Sequence, residues 1–278
     1  MEFETIKYEK EDGFVVVTLN RPKSLNALNV KMWNELDQAM TQFVADNESK
    51  VIIYTGAPRP DGRPCFCAGA DLKEMSGFQS EGGQVVPGPV WTPVNQFWQM
   101  RQPKQAMVPT LENICWCPKI TMAAIDGICT AGGIELSLSC DLIVASETAQ
   151  ISDMHLKNLG WVGGAAANAN MSWRVGVSKA LELCLTGDVI DGNEAHRIGL
   201  ANRVFPPDKM LDGAKELASK IAQGRLAGII MTKATCRSVE DMGRAASWHY
   251  CDDAFMTLQN EPDSADFGAT AWVKGREK

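Results

Sequence analysis

The chain has 278 residues, of which 45% are hydrophobic and 22% charged, a balance that excludes disordered and fibrous classes. At about 150 residues per domain, this length gives one large domain or a domain with an appendage, able to bury most of its surface without disulfides or structural metals. Its 27 Lys and Arg against 34 Asp and Glu give a net charge of −7, and no Lys/Arg run supplies the basic face that a nucleic-acid binder needs.

The first thirteen residues form neither an apolar signal core nor an Arg- and Ser-rich amphipathic stretch, and no run approaches the ~18 apolar residues of a membrane span. Nine cysteines are present, with Cys65/Cys67 and Cys115/Cys117 as close pairs. They lack the CxxC or His-rich spacing of a zinc site and read as small buried thiols in a reducing compartment. The expected setting is cytoplasmic.

Phe14 to Leu19 is short and β-branched, and stops at Asn20-Arg21-Pro22, as expected of a strand running into a turn. Apolar residues then recur at Leu28, Met32, Leu36, Met40 and Phe43, the period of an amphipathic helix. Lys50 to Gly56 reads as a buried strand, and strand and helix alternate again from Ile120 to Ile151, which places the fold in the α/β class with parallel pairing. Residues 76–110 differ, mixing Gly and Pro with Trp91, Phe97, Trp98, Met100 and Met107. That mixture fits either a surface loop packing its own aromatics or a lid over a pocket. From about Asp208 the pattern is helical, with a stripe of Met210, Leu211, Ala214, Leu217, Ala218 and Ile221, then helices expected over Leu226–Cys236 and Asp241–Leu258. The expected division is 1–205 for a core carrying the site and 206–278 for a helical region.

Two glycine-bearing segments carry the chemistry: Cys65 to Met75, containing Ala68-Gly69-Ala70-Asp71, and Ala123 to Asp141, containing Ala131-Gly132-Gly133-Ile134-Glu135. In each, a strand pattern runs into small residues and then into a helical pattern. Small residues let a ligand approach the backbone, and N–H groups at a helix start are unpaired and point outward. Two such groups aimed at one oxygen make an oxyanion hole. Neither GxGxxG nor GxxxxGK[ST] occurs, so no dinucleotide or P-loop fingerprint is present.

These two segments, with Asn20-Arg21-Pro22, Asn26-Ala27-Leu28, Leu185-Thr186-Gly187 and Ala195 to Leu200, closely resemble the crotonase (enoyl-CoA hydratase/isomerase) superfamily over residues 5–275. The resemblance implies an α/β spiral of ββα units with a helical C-terminal trimerisation region, assembled as a homotrimer or homohexamer. It implies an acyl-CoA thioester as partner, coenzyme A entering only as part of the substrate, and no separate cofactor or metal. Carried over by motif, the backbone donors are Ala70 and Gly132. Asn26, Ala27, Ala68, Asp71, Leu72 and Lys73 fall on the CoA-binding surface, with Lys73 directed to a phosphate.

Glu135 matches the family's first catalytic glutamate and sits in the first turn of a helix, where the dipole favours its ionised form. The second catalytic glutamate is expected twenty residues on, where this chain has His155. Histidine can do acid–base work near neutral pH, or can shape the pocket without transferring a proton, and Asp153 is an alternative partner. Gly163 stands where dehalogenase-like and dienoyl-isomerase-like members carry aspartate. Glu135 favours water chemistry, so the expected activity is an acyl-CoA hydratase acting on a bulky, cyclic or aromatic enoyl group, in view of Trp91, Trp98, Met100, Trp116 and Trp161. The alternatives are a hydrolase of a C–C or thioester bond using His155 as base, an enoyl-CoA isomerase, and a silent acyl-CoA-binding subunit, the last disfavoured by intact Ala70, Gly132 and Glu135. His196 and His249 read as structural.

Overall fold

Parallel β-strands need both faces covered and so read as near-continuous apolar runs. The computed structural model, which describes residues 3–75, 80–81, 84–85, 107–260 and 272–273, places these runs in two sheets. The larger has the order β1 (Ile6–Glu11), β2 (Phe14–Leu19), β3 (Val51–Gly56), β5 (Ile120–Ile125), β7 (Leu142–Ser146) and β9 (Arg203–Phe205). Only the β1–β2 pair is antiparallel. The smaller sheet is parallel, in the order β8 (Gln150–Ser152), β6 (Ile128–Thr130), β4 (Cys65–Cys67). The edge strand β1 has the sequence IKYEKE and only Ile6 is buried in it, so its apolar signal is too thin to read before the fold is known.

Side chains alternate across the large sheet. Val15, Val17, Ile52, Tyr54, Ala123 and Ile143 face α1 (Val30–Ala45), α3 (Met107–Cys115) and the small sheet. Phe14, Val16, Val51, Ile53, Met122 and Val144 face α8 (Met210–Ala222), whose Met210, Ala214 and Ala218 are buried against them. The stripe read from the sequence beyond Asp208 is therefore the second core layer. Helix α1 starts where the Asn29 side chain accepts from the Met32 N–H at 2.9 Å, and buries Met32, Trp33, Leu36, Met40 and Phe43. Each such side chain contributes about 1.5–3 kcal/mol relative to exposure.

The spiral rests on one repeated step, in which a strand in the large sheet is followed by a strand in the small one: β3 then β4, β5 then β6, β7 then β8. After β4 comes α2 (Leu72–Met75), after β6 comes α4 (Gly132–Ser139), and after β8 a π-helical turn, His155–Leu159. Then follow α5 (Ala167–Val175), α6 (Val177–Thr186) and α7 (Gly192–Arg197), and α9 (Leu226–Asp241) and α10 (Arg244–Gln259) complete a C-terminal helical bundle with α8. The two expected C-terminal helices are thus present, with α9 running five residues further than its apolar pattern suggested. Within the 76–110 segment only 80–81, 84–85 and the start of α3 are described, so Trp91, Trp98 and Met100 lie outside the described residues. No helix among the described residues is long and apolar enough to cross a membrane.

Candidate active site

The carboxyl ends of the three small-sheet strands lie side by side, and each leads into one part of the site. Beyond the strand ends of a parallel sheet is where open α/β folds bind ligands. Ala70 follows β4, Gly132 and Glu135 follow β6, and Asp153 and His155 follow β8. Residues 85 apart in sequence are brought together by strand order alone.

Both backbone donors sit on turns of unusual conformation. Gly69, before Ala70, has φ +110, and Ala131, before Gly132, has φ +48 and ψ −119. These conformations rotate the following peptide so that its N–H leaves the strand direction. The turns touch: a Cβ added to Gly132 would lie 3.0 Å from the Ala70 nitrogen, and one on Gly69 would lie 2.8 Å from the Ala131 Cβ. Among the described residues neither the Ala70 nor the Gly132 N–H has an acceptor, while their neighbours are paired, with Leu28 N–H donating to Gly69 O at 2.8 Å and Asp71 N–H to Leu28 O at 2.9 Å. Two adjacent unpaired donors on rigid backbone are what an oxyanion requires.

Glu135 is 2% exposed. Its Oε1 accepts from the Gly164 N–H at 2.5 Å and lies 3.2 Å from His155 Nε2, while Oε2 has no partner among the described residues. His155 is buried too, and its Nδ1 lies 2.6 Å from Asp153 Oδ1, which also accepts from the His155 backbone N–H at 3.0 Å. Burial opposes charge on the imidazole, but the bonds to Asp153 and Glu135 and the charge of both carboxylates outweigh it, and its pKa stands at about 9. Burial likewise opposes the Asp153 carboxylate, but its bonds from His155 hold its pKa below the ordinary value. At neutral pH the ring is therefore an imidazolium with the ionised Asp153 carboxylate against its Nδ1.

These groups open into a cavity of about 850 Å³ whose wall includes Ala68, Ala70, Leu72, Gly132, Glu135 and His155. Leu111, Met154, Leu159 and the indoles of Trp116, Trp161 and Trp173 line the rest. Trp173 had given no signal in the sequence. Trp116 lies under the Arg237 guanidinium, 5.0 Å from the ring centroid, a placement that ties the cavity rim to α9 and that no local pattern announces. Gly163 borders the site closely: a Cβ there would stand 2.9 Å from Asn168 Oδ1 and 3.4 Å from His155 Nδ1.

The expected CoA-binding segments are brought together, since Ala68 N–H donates to Leu25 O at 3.0 Å beside the Leu28–Gly69 bond. Two of their side chains are engaged within the fold. Asn26 is fully buried, and its side chain is occupied by Arg21 N–H, Ala57 O and Cys65 O, so it staples the loop from within and is not on the cavity wall. Asp71 pairs with Arg21 at 2.9 Å and is likewise absent from the wall. Ala27 is half-buried and accepts from Arg21, and Lys73 is exposed on α2. His196 Nδ1 meets Ala201 O at 3.1 Å, and His249 is exposed on α10 away from the cavity. The buried thiols are inert by environment, with Cys67 pushed up to about 12 and Cys65 to about 11 by burial.

With this geometry, residues 9–277 match the family model described as enoyl-CoA hydratase/isomerase. The chain belongs to that family. It is 35% identical over its whole length to a Rhizobium meliloti protein called a probable enoyl-CoA hydratase, covering 98% of that protein. It is 33% identical to the short-chain-enoyl-CoA hydratase of Clostridium acetobutylicum, again over the whole chain and 97% of the relative. Among solved structures, the enoyl-CoA hydratase of Bacillus anthracis superposes with a TM-score of 0.81 at 28% identity, covering 95% of this chain and 94% of that one. The protein is an enzyme of the acyl-CoA-binding hydratase/isomerase class.

Proposed function

We propose that the protein is an enoyl-CoA hydratase in which Ala70 and Gly132 hold the thioester oxygen and the Glu135–His155 pair moves the protons. The observation that carries this reading is the 3.2 Å contact between Glu135 Oε1 and His155 Nε2 at the cavity wall. Water on Glu135 gives its proton to the carboxylate as its oxygen bonds to the β-carbon. Negative charge passes to the thioester oxygen, where preorganised N–H dipoles favour the transition state over the ground state. The His155 imidazolium protonates the α-carbon, and the protonated Glu135 returns a proton to the imidazole across their contact. The product is the 3-hydroxyacyl thioester, with water added across the double bond and both side chains restored.

The hydrolase alternative needs His155 as a base. Between two carboxylates, with a pKa of about 9, the imidazole is already protonated at neutral pH, which favours an acid role. The three indoles on the wall support a bulky, cyclic or aromatic acyl group. Ala68 and Leu72 would flank the CoA arm, with Ala27 beside them and Lys73 near a phosphate. Exposed Trp248 and Phe255 on α10 fit a homotrimer or homohexamer assembled through residues of the 206–278 region.

The test is mass spectrometry on linear, cyclic and aryl enoyl-CoAs incubated with the enzyme in ¹⁸O-water. A labelled hydroxyl on an intact thioester is expected, with the best substrate naming the acyl class. Free CoA with a labelled acid, or a ring-opened thioester, would overturn the hydratase reading, and double-bond migration without label would point to an isomerase.

A further inference from the structure

Glu135 and His155 account for two members of the row of three. The third, Asp153, is 4% exposed and sits one residue beyond β8. A single oxygen, Oδ1, takes both the His155 backbone N–H at 3.0 Å and the ring Nδ1 at 2.6 Å. The Cys184 side chain on α6 also bonds to this carboxylate. Asp153 is not on the cavity wall, whereas His155 and Glu135 are. A carboxylate so held behind the ring fixes the ring plane, keeps a proton on Nδ1 and turns Nε2 toward Glu135.

We infer that Asp153 is a positioning residue, which holds His155 as an imidazolium with its Nε2–H directed at Glu135, and so lets a histidine work where two facing carboxylates would repel. This rests on the proposed roles of Glu135 and His155, but its central claim concerns the ring's protonation and is testable without turnover. The ring is faced by Glu135 from α4 and Asp153 from the end of β8, with the neutral Gly163 on the loop beside it. Cys184 from α6 reaches it only through Asp153, and its thiol, pushed up to about 11 by burial, stays neutral. Lys157 lies on the same π-helical turn and packs toward Gly187. Asp153 is thus the one negative charge on the Nδ1 side among the described residues.

The experiment is ¹⁵N NMR of the three histidine rings across pH 5.5 to 10 in the full-length protein, with His155 assigned by its loss in His155→Gln. In the wild type both His155 nitrogens should stay protonated through pH 8. A ring already neutral at pH 7.5 overturns the inference, whether or not any variant folds. In Asp153→Asn, where the amide oxygen can keep the bond without the charge, the ring should titrate at least about one pH unit lower. The alkaline limb of kcat/KM should move by the same amount, with KM for the acyl-CoA unchanged below the limb. A purely structural role would lower Tm and kcat together and leave both titrations in place, which also overturns it. If NMR gives the expected shift but no enoyl-CoA is hydrated, the hydratase reading fails and the positioning role stands.

Discussion

The two sides of the cavity are built from different material. The side proposed to hold the thioester oxygen is backbone: two N–H groups on turns after β4 and β6, oriented by φ angles at Gly69 and Ala131 and held where those turns touch. The side proposed to transfer protons is made of side chains, with Asp153, His155 and Glu135 in line and the Gly164 N–H closing the far end. Short of proline, which also fixes φ, substitution can displace a backbone donor but not delete it, whereas a side-chain proton carrier can be removed with the fold intact. Damage to one side should therefore reach activity through geometry and stability together, and damage to the other mainly through chemistry.

The largest effect should come from Glu135→Gln. The amide can keep the bond from Gly164 but can take no proton from water, so kcat/KM should fall by about 10³, with acyl-CoA affinity within about threefold and Tm nearly unchanged. Full activity in this variant would remove Glu135 from the chemistry. Gly69→Ala tests the other side. Its φ of +110 suits glycine, and the new Cβ would stand 2.8 Å from the Ala131 Cβ and 3.1 Å from the Gly132 nitrogen. Parting the two donors should cost about 10² in kcat and about 1–3 kcal/mol of stability, read by urea denaturation of the same sample. Loss of rate without loss of stability would break the contrast between the two sides.

How much of this was legible in the sequence follows the same line. The turns announce themselves because glycine and alanine clusters after β-branched runs have few other uses, so Ala70, Gly132 and the helix carrying Glu135 could be placed from local pattern and family resemblance. The apolar runs of β2 and β3, and the stripe Met210, Ala214, Ala218, were readable for the same reason: such patterns are local. The Asn26 motif speaks only for the loop it belongs to. Only the fold shows that its side chain points inward to Ala57 and Cys65. The Asp153–His155–Glu135 row was half visible, as a spacing of two and a spacing of twenty, but which oxygen meets which nitrogen depends on the order of strands in the small sheet. Trp173 and the Arg237–Trp116 contact join segments far apart in the chain and left no signal.

The proton row also makes a prediction about stability. The His155 pKa is raised from 6.5 unfolded to about 9 folded, so the folded protein binds the extra proton more tightly. That stabilisation is fully present below about pH 6.5 and is lost as pH rises through 9. Between pH 6 and 10 the wild type should lose on the order of 3 kcal/mol more than His155→Gln, measured as the difference in urea-derived stability at each pH. Parallel pH profiles for the two proteins would mean that folding does not raise the pKa of the ring.

The smallest effect expected is at Ala131, where the donor side uses an alanine in a conformation that suits glycine. Strain of this kind costs about 1–3 kcal/mol. Ala131→Gly removes it, but frees the unfolded chain by about 0.5–1 kcal/mol and deletes a methyl that packs beside Gly69, worth about 0.8 kcal/mol. The terms nearly cancel, so stability should stay within about 1 kcal/mol. Rate is the sharper measure, because the methyl lies against the turn that carries the Ala70 N–H. If contact between the turns is what holds the donors in place, kcat should fall by about threefold at constant KM even where Tm rises. An unchanged kcat would show that the strand ends of β4 and β6 alone aim the two N–H groups, with the alanine strained for no catalytic return.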